Sequence, residues 1–97
     1  HDKLFSLTSH LPHFVAYSLM KVIYDNNIDV NIYAGGGLKE FIRLSQSSPE
    51  MWGDIFKSNA HLNKHIDELV EKLIELKELS SSKDGSALKE YLSQFKQ

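Results

Sequence analysis

The most regular pattern of apolar and polar positions runs from Asn59 to Leu79. Apolar residues recur there at steps of four and three, and charged residues fill the opposite positions. Side chains three and four positions apart lie on one face of an α-helix, so this spacing predicts one long amphipathic helix. The apolar face consists of Leu62, Ile66, Leu69, Val70, Leu73, Ile74 and Leu76.

A second long apolar segment covers residues 4–24. Its apolar side chains fall on more than one helical face, so the pattern predicts a helix that is buried on several sides. Such surroundings are hard to provide within 97 residues, and a second subunit could supply part of them. Asn26 and Asn27 predict the end of this helix, because both residues favour turns and left-handed backbone conformations.

The middle of the chain gives weaker signals. Residues 28–33 alternate between apolar and polar positions, but no second convincing strand could pair with them, so we interpret them as loop or helix. The run Ala34-Gly35-Gly36-Gly37 indicates flexibility. A helical stretch is predicted to follow it, from Leu38 to Leu44.

Two further helices complete the predicted all-α fold. Ser47 or Ser48 can cap the first of them, in which Pro49 fits the first turn because its missing N–H costs nothing there. After a loop over residues 80–85, a last short helix is predicted to begin at Ser86. The apolar residues of this last helix are Leu88, Tyr91, Leu92 and Phe95.

Composition narrows the classes of function. Eleven Lys and Arg stand against thirteen Asp and Glu, which provides no basic surface for nucleic acid or an anionic membrane. The chain has no cysteine, which excludes disulfides and thiolate metal sites and is compatible with a reducing compartment, so we expect a cytoplasmic protein. No apolar run reaches membrane-spanning length. A first residue other than Met is compatible with a piece of a longer polypeptide.

Two pairs of histidines occur at helical spacing. His10 and His13 are three residues apart, and His61 and His65 are four apart, so each pair could present two imidazoles to a metal. A metal site usually needs three or four ligands, and neither pair occurs in a Glu-x-x-His pattern, so we expect no metal. We interpret His61 and His65 as solvated positions beside the apolar face.

Pro12 lies between His10 and His13 in the segment Thr8-Ser9-His10-Leu11-Pro12-His13-Phe14. Proline in a helix lacks the N–H that would bind the Thr8 carbonyl, and it costs about 3 kcal/mol. The two histidines are then either partly buried and satisfied by nearby carbonyls, or one wall of a polar site. Free polar groups beside two imidazoles favour the site.

Arg43 is the only arginine, and all the other basic residues are lysine. Its planar guanidinium can bind a carboxylate or phosphate through two parallel hydrogen bonds, which lysine cannot do. An anionic ligand is one interpretation, and an internal ion pair with Glu40 or Glu50 is an equally open one.

Glycines and a lone tryptophan are the remaining candidates. The run Gly35–Gly37 could bring backbone close to a ligand, or it could be a plain turn. It is not a dinucleotide fingerprint, because position 40 is Glu40 and no strand–turn–helix unit surrounds it. Trp52 could simply pack in the core, or it could close a pocket near a subunit boundary.

Several short motifs follow one another in order along residues 1–59. They are His1-Asp2 with Ser9-His10-Leu11-Pro12-His13, Ala34-Gly35-Gly36-Gly37 with Phe41 and Arg43, Ser48-Pro49-Glu50-Met51-Trp52, and Asp54-Ile55. In this order and at these separations they resemble the prephenate dehydrogenase family, specifically its C-terminal helical domain. In the first helical stretch after the glycines, Leu38, Glu40 and Ile42 replace the Phe, Asp and Thr that are usual in the family.

The resemblance implies a fold and a domain organisation. It implies an all-α dimerisation domain of the 6-phosphogluconate dehydrogenase C-terminal-like type, arranged as an intertwined homodimer. Residues 1–97 would form the C-terminal substrate-binding and dimerisation domain. The N-terminal dinucleotide-binding domain, which would hold NAD or NADP and supply the catalytic histidine, would be absent.

The resemblance also implies an activity and a set of site residues. The family oxidises and decarboxylates prephenate to 4-hydroxyphenylpyruvate in tyrosine biosynthesis, and the 97 residues alone are expected to be inactive. Substrate-binding residues carried over by motif are His10, Gly36, Gly37, Glu40, Arg43 and Trp52, with Trp52 reaching toward the partner subunit's site. Arogenate as substrate, tyrosine as a feedback ligand, and a stand-alone helical interaction module remain open alternatives.

Overall fold

The computed structural model describes residues 1–33 and 35–96, and every regular element in these ranges is helical. The elements are α1 (Asp2–Phe5), a π-helical segment (Ser6–His10), α2 (Leu11–Asp25), α3 (Val30–Tyr33), α4 (Gly36–Ser45), α5 (Pro49–Ser58), α6 (Leu62–Ser81) and α7 (Ser86–Ser93). No β-strand occurs among the described residues, which confirms the predicted all-α class. None of these helices combines the length and the apolar character needed to cross a membrane.

Two compact units make up the described chain, one from His1 to His65 and the other from Ile66 onward. The first unit contains the helices that carry the sequence-derived site residues. In it, α2 packs against α4, and four apolar side chains are buried. These four core residues are Ala16, Met20, Trp52 and Leu62.

The helix from Asp2 to Asp25 contains a wider turn directly before Pro12. The Leu11 N–H donates to the Ser6 carbonyl five residues back, and the backbone keeps right-handed helical angles at His10 and Leu11. A proline in a regular helix has no N–H, and its ring crowds the carbonyl four residues before it. The π-helical turn is the local adjustment that accompanies Pro12, and such turns occur often at functional sites.

Aromatic rings join α2 to α5. The ring of Phe56 meets Phe14 edge-on at a centroid distance of 5.2 Å, and it meets Tyr17 edge-on at 6.0 Å. Trp52 lies one turn earlier on α5, with its ring 5.8 Å from that of Phe56. Edge-to-face pairs at these distances add to the stabilisation from buried apolar area. These contacts hold the first half of α2 against α5.

Helix boundaries follow the predicted signals with small shifts. The first long helix ends at Asn26 and Asn27 as predicted, and Asn27 has a left-handed backbone with φ 61°. Residues 30–33 are helical, in line with the loop-or-helix interpretation. Helix α4 begins at Gly36 rather than at Leu38, because Gly35 is extended and already acts as its N-cap.

The second unit differs slightly from its prediction. Helix α6 ends at Ser81, two residues beyond the predicted Leu79. Helix α7 begins at Ser86 as predicted, and the Ser86 N–H donates to the Asp84 carboxylate at 3.0 Å, which lowers the pKa of Asp84. Phe95 lies beyond the end of α7.

The predicted burial on several sides is not reached within one chain. In the helix from Asp2 to Asp25, several large apolar side chains are exposed. They are Leu4, Phe5, Leu7, Val22 and Tyr24. Val70, Leu73 and Ile74 of α6 are also exposed. A single copy of the chain therefore leaves apolar surface that another molecule could cover.

His65 contradicts the interpretation that it is solvated, whereas His61 is exposed as expected. His65 is only 3% exposed, and its Nδ1 lies 2.7 Å from Oγ of the fully buried Ser6. The reason is its position three residues after Leu62, which places the imidazole on the apolar face of α6. Two buried polar groups satisfy each other there.

Ser6→Ala is expected to destabilise the protein by about 1–3 kcal/mol, because the buried His65 ring nitrogen would lose its partner. The measurement is the free energy of unfolding from denaturant titration. Ser18→Ala is the control, since Ser18 is exposed and bonds only to the Phe14 carbonyl one turn back. Equal effects of the two substitutions would contradict a stabilising Ser6–His65 pair.

Ser48→Ala is expected to cost about 1 kcal/mol, because Ser48 Oγ accepts the Met51 N–H at the start of α5. Ser47→Ala is the matched comparison and should cost less, since Ser47 bonds only to the Leu44 carbonyl through its side chain. Thermal unfolding of both variants checks the order. A larger loss of stability for Ser47→Ala would contradict the assignment of Ser48 as the N-cap of α5.

Candidate functional site

The two histidines around Pro12 meet the tryptophan of α5. The ring of His13 stacks on that of Trp52 at a centroid distance of 3.6 Å and an interplanar angle of 14°. His10 approaches Trp52 edge-on, at 5.9 Å and 82°. Trp52 is only 7% exposed. The segment that the sequence singled out is therefore one side of an aromatic corner between α2 and α5.

The contacts of His13 match one of the alternatives left open for it, a partly buried histidine satisfied by a nearby carbonyl. Its Nδ1 lies 2.9 Å from the Ser9 carbonyl oxygen. A carbonyl oxygen only accepts hydrogen bonds, so Nδ1 is the donor and carries a proton. His13 thus satisfies a carbonyl near Pro12 and covers one face of Trp52.

His10 is held by a residue that the sequence reasoning missed. The side-chain nitrogen of Asn59 lies 2.9 Å from His10 Nδ1 and 3.2 Å from the carbonyl oxygen of Asp2. Asn59 follows α5, and its side-chain oxygen accepts the His61 N–H at 2.9 Å. The only sequence signal for Asn59 is its type, because asparagine at a break between helices often bonds to the backbone two residues later.

Arg43 and Glu40 form an ion pair one turn apart on α4. Arg43 Nε donates to the two carboxylate oxygens of Glu40 at 3.1 and 3.2 Å, and Nη2 donates to Oε1 as well. The two side chains are 69% and 62% exposed, respectively. Of the two interpretations that the sequence left open for Arg43, the internal pair with Glu40 is the one present in this chain.

Electrostatics at this pair favour the charged form of both groups. The hydrogen bond from Arg43 lowers the pKa of the Glu40 carboxyl, and the same bond raises the pKa of the Arg43 guanidinium. The pair is therefore intact at neutral pH and is lost only as the pH falls through the lowered pKa of Glu40. Both side chains face solvent, so a competing carboxylate can reach the guanidinium.

The glycines before Arg43 have no packing requirement within the described chain. Gly36 and Gly37 form the first turn of α4, and both are exposed. Apart from its chain neighbours and the backbone of α4, a Cβ added at either position would meet no described atom within 4 Å, and neither glycine has positive φ. Ala34, which precedes them in the motif, lies outside the described residues. The first turn of α4 therefore opens onto free space.

The candidates fall into two groups on the first unit. His10, His13 and Trp52 come together with Asn59, whereas Glu40 and Arg43 pair on α4 behind its open first turn. Among the described residues, no hydrogen bond or ring contact links Arg43 to His10, although α2 and α4 pack together. The reach of Trp52 toward a partner subunit stays a prediction, since its ring is already buried against His13 in this chain.

Metal binding finds no support in the arrangement of the histidines. His61 is exposed, and His65 Nδ1 is hydrogen-bonded to the Ser6 hydroxyl. Within residues 1–33 and 35–96, no three His, Cys, Asp or Glu side chains converge as a metal site would require.

The chain is similar to known proteins along its whole length. It is 33% identical over 99 residues to cyclohexadienyl dehydrogenase of Zymomonas mobilis. This match covers 97% of this chain and 34% of that protein. It is 30% identical to prephenate dehydrogenase of Bacillus subtilis, over 99% of this chain and 27% of that protein. The chain thus spans only 34% and 27% of the length of these two relatives.

A solved structure shares the fold. The crystal structure of prephenate dehydrogenase from A. aeolicus, in complex with hydroxyphenyl propionate and NAD+, matches with a TM-score of 0.86 and 39% sequence identity. The match covers 99% of this chain and 35% of that one. Residues 1–94 match the family described as "Prephenate dehydrogenase, dimerization domain". On this evidence the chain belongs to the prephenate dehydrogenase dimerization domain family.

Proposed function

We propose that this chain is the substrate-side, dimer-forming domain of an NAD(P)-dependent dehydrogenase that converts prephenate to 4-hydroxyphenylpyruvate. The observation that carries the proposal is the 39% identity, at a TM-score of 0.86, to an enzyme crystallised with hydroxyphenyl propionate and NAD+. The proposed domain extends over residues 1–97, as the family resemblance implies, and a family match over residues 1–94 supports it. A cytoplasmic location belongs to the same proposal.

The nucleotide would be held by another part of the protein. Dinucleotide-binding folds place a glycine-rich turn between a β-strand and a helix. Here the glycines open α4 without a strand before them, and no strand occurs among the described residues. The residues of this chain do not fit the cofactor by themselves, so we assign hydride transfer and the catalytic histidine to the part of the enzyme that binds NAD or NADP.

A homodimer would cover the apolar surface that one chain leaves open. Among the side chains that the structure describes, a single chain buries only four apolar ones. Exposed apolar residues lie on α1, α2 and α6, including Leu4, Phe5 and Leu73. Surfaces of this kind are usual in obligate homodimers, whose interfaces resemble a domain core. The intertwined arrangement that the family resemblance implies would provide this cover.

Substrate carboxylate binding would use α4. Prephenate carries two carboxylates, and the exposed Arg43 guanidinium can bind one of them in place of Glu40. Gly36 and Gly37 leave room for the ligand beside the first turn, where no side chain blocks it. His10 would face the ligand from the other group of residues, with Trp52 behind it.

Arogenate, the amino analogue of prephenate, is a second candidate substrate. The supporting observation is Glu40, an exposed carboxylate beside Arg43 that could bind an ammonium group once Arg43 binds the substrate's carboxylate. Tyrosine as a feedback ligand remains a prediction from the family resemblance.

The complete protein is expected to reduce NAD+ or NADP+ in the presence of prephenate, whereas residues 1–97 alone should give no turnover, because the described residues contain no dinucleotide fold. Nicotinamide absorbance follows the reaction, and arogenate is the competing substrate. A complete protein that forms dimers but neither turns over nor binds prephenate, arogenate or 4-hydroxyphenylpyruvate would instead be a helical interaction module.

In the complete enzyme, Arg43→Ala is expected to raise KM for the substrate by roughly 10- to 100-fold, since a hydrogen-bonded charge contributes about 1.5–3 kcal/mol. The change in kcat should be smaller, because the carboxylate is bound in both the ground state and the transition state. Lys39→Ala removes a positive charge from the same helix without touching the Glu40 pair, and should leave KM unchanged. A fall in kcat with an unchanged KM would contradict this role for Arg43.

A further inference from the structure

We propose that Asn59 is a positioning residue that fixes the tautomer of His10, so that His10 Nε2 carries the proton and donates a hydrogen bond to the substrate. The identity of the substrate rests on the proposed function. The tautomer rests only on contacts within residues 1–65.

The orientation of the Asn59 amide is set by the backbone. Its Oδ1 accepts the N–H of His61, two residues later, at 2.9 Å. A backbone N–H only donates, so the atom facing it must be the amide oxygen. The amide nitrogen of Asn59 therefore points the opposite way, toward His10 and Asp2.

The amide nitrogen uses its two hydrogens on two different acceptors. One bond goes to the carbonyl oxygen of Asp2 at 3.2 Å, and the other goes to His10 Nδ1 at 2.9 Å. Asn59 is itself half-buried, so these bonds lie partly out of solvent. With Oδ1 on His61, the side chain bonds three separate segments of the first unit.

These contacts determine where the His10 proton lies. An amide nitrogen has no lone pair to offer, so His10 Nδ1 must be the acceptor and is unprotonated. A neutral imidazole with an unprotonated Nδ1 carries its hydrogen on Nε2. Among the described residues, no hydrogen bond occupies His10 Nε2, so its N–H is available to a ligand.

His13 provides an internal comparison three residues away. Its Nδ1 faces the Ser9 carbonyl and is protonated, so the neutral ring of His13 has the opposite tautomer. The two histidines differ in the group that faces Nδ1, which is an amide N–H for His10 and a carbonyl for His13. Only His10 is thereby set to donate from Nε2.

The tautomer defines what His10 can do. An Nε2–H group binds oxygen acceptors, such as the carboxylate, carbonyl or hydroxyl oxygens of a prephenate-like acid. It cannot remove a proton from the substrate in this state, because its only lone pair is bound to Asn59. His10 therefore binds and orients the ligand, while the acid–base step belongs to another group of the enzyme.

The test uses the complete protein with 15N-labelled histidine, and NMR reports which ring nitrogen of His10 is protonated. His10→Gln identifies the signals. We expect an unprotonated Nδ1 and a protonated Nε2 in the unsubstituted protein. In Asn59→Asp, which has nearly the same shape but only acceptor atoms, we expect the proton on Nδ1. A protonated Nδ1 in the unsubstituted protein would overturn the inference, whether or not the protein is an active dehydrogenase.

Steady-state kinetics separates positioning from a merely structural role. Asn59→Ala is expected to raise KM for prephenate about tenfold with a smaller change in kcat, because His10 is no longer held as a donor. Asn26→Ala is the control, since Asn26 also bonds through its amide, to the Val22 carbonyl, but does not touch His10. A lower melting temperature for Asn59→Ala with an unchanged KM would leave Asn59 a structural residue and refute its role in binding.

The two proposals fail in different ways. An absence of turnover by the complete, unsubstituted protein, together with the expected NMR result, would reject the dehydrogenase and keep the tautomer assignment. Turnover of prephenate with a protonated His10 Nδ1 would keep the dehydrogenase and reject the role of Asn59.

Discussion

The stack of His13 on Trp52 is the contact on which the rest of the candidate site depends. It fixes the start of α2 against α5, and the edge-on contact of His10 with Trp52 and the Phe14–Phe56 pair reinforce the same arrangement. Because α5 is held there, Asn59 at its C-terminal end lies within hydrogen-bond distance of His10. The hydrogen bond between Asn59 and His10 thus depends on the aromatic packing between α2 and α5. This packing is strong because the rings are large and partly or fully buried.

Pro12 and the π-helical turn before it shape the same corner. The wider turn absorbs the proline, and the Ser9 carbonyl nearby receives the Nδ1–H of His13. Ser6, in this turn, is fully buried against His65 of α6. Two side-chain hydrogen bonds therefore stabilise the turn that accommodates Pro12. One joins His13 to the Ser9 carbonyl, and the other joins Ser6 to His65 of α6.

Much of the fold could be read from local signals, whereas the site could be read only in part. Helical spacing, the Asn26–Asn27 break and the Ser48–Pro49 start act over a few residues, and the structure follows them. Asn59 could not be found this way, because its acceptor His10 lies 49 positions earlier in the chain. His65 is a different case: the sequence interpretation placed it in solvent beside the apolar face of α6, because nothing in the sequence shows that a buried serine would satisfy its imidazole. The Arg43–Glu40 pair was visible as one of two interpretations, and spacing alone could not choose between them.

The chain belongs to a dimerization-domain family and spans only part of the length of its relatives, so the proposed function assigns it the role of one domain in a larger enzyme. In the proposed function, its exposed apolar faces would pack against a second copy, and the first turn of α4 and His10 Nε2 would contact the ligand. The most direct test of the proposed site is a crystal structure of the complete protein with NAD+ and hydroxyphenyl propionate. We expect the ligand to lie between His10 and α4, with Arg43 bound to the ligand's carboxylate instead of to Glu40 and with Asn59 still donating to His10 Nδ1. A ligand bound away from both His10 and Arg43 would contradict this placement of the site.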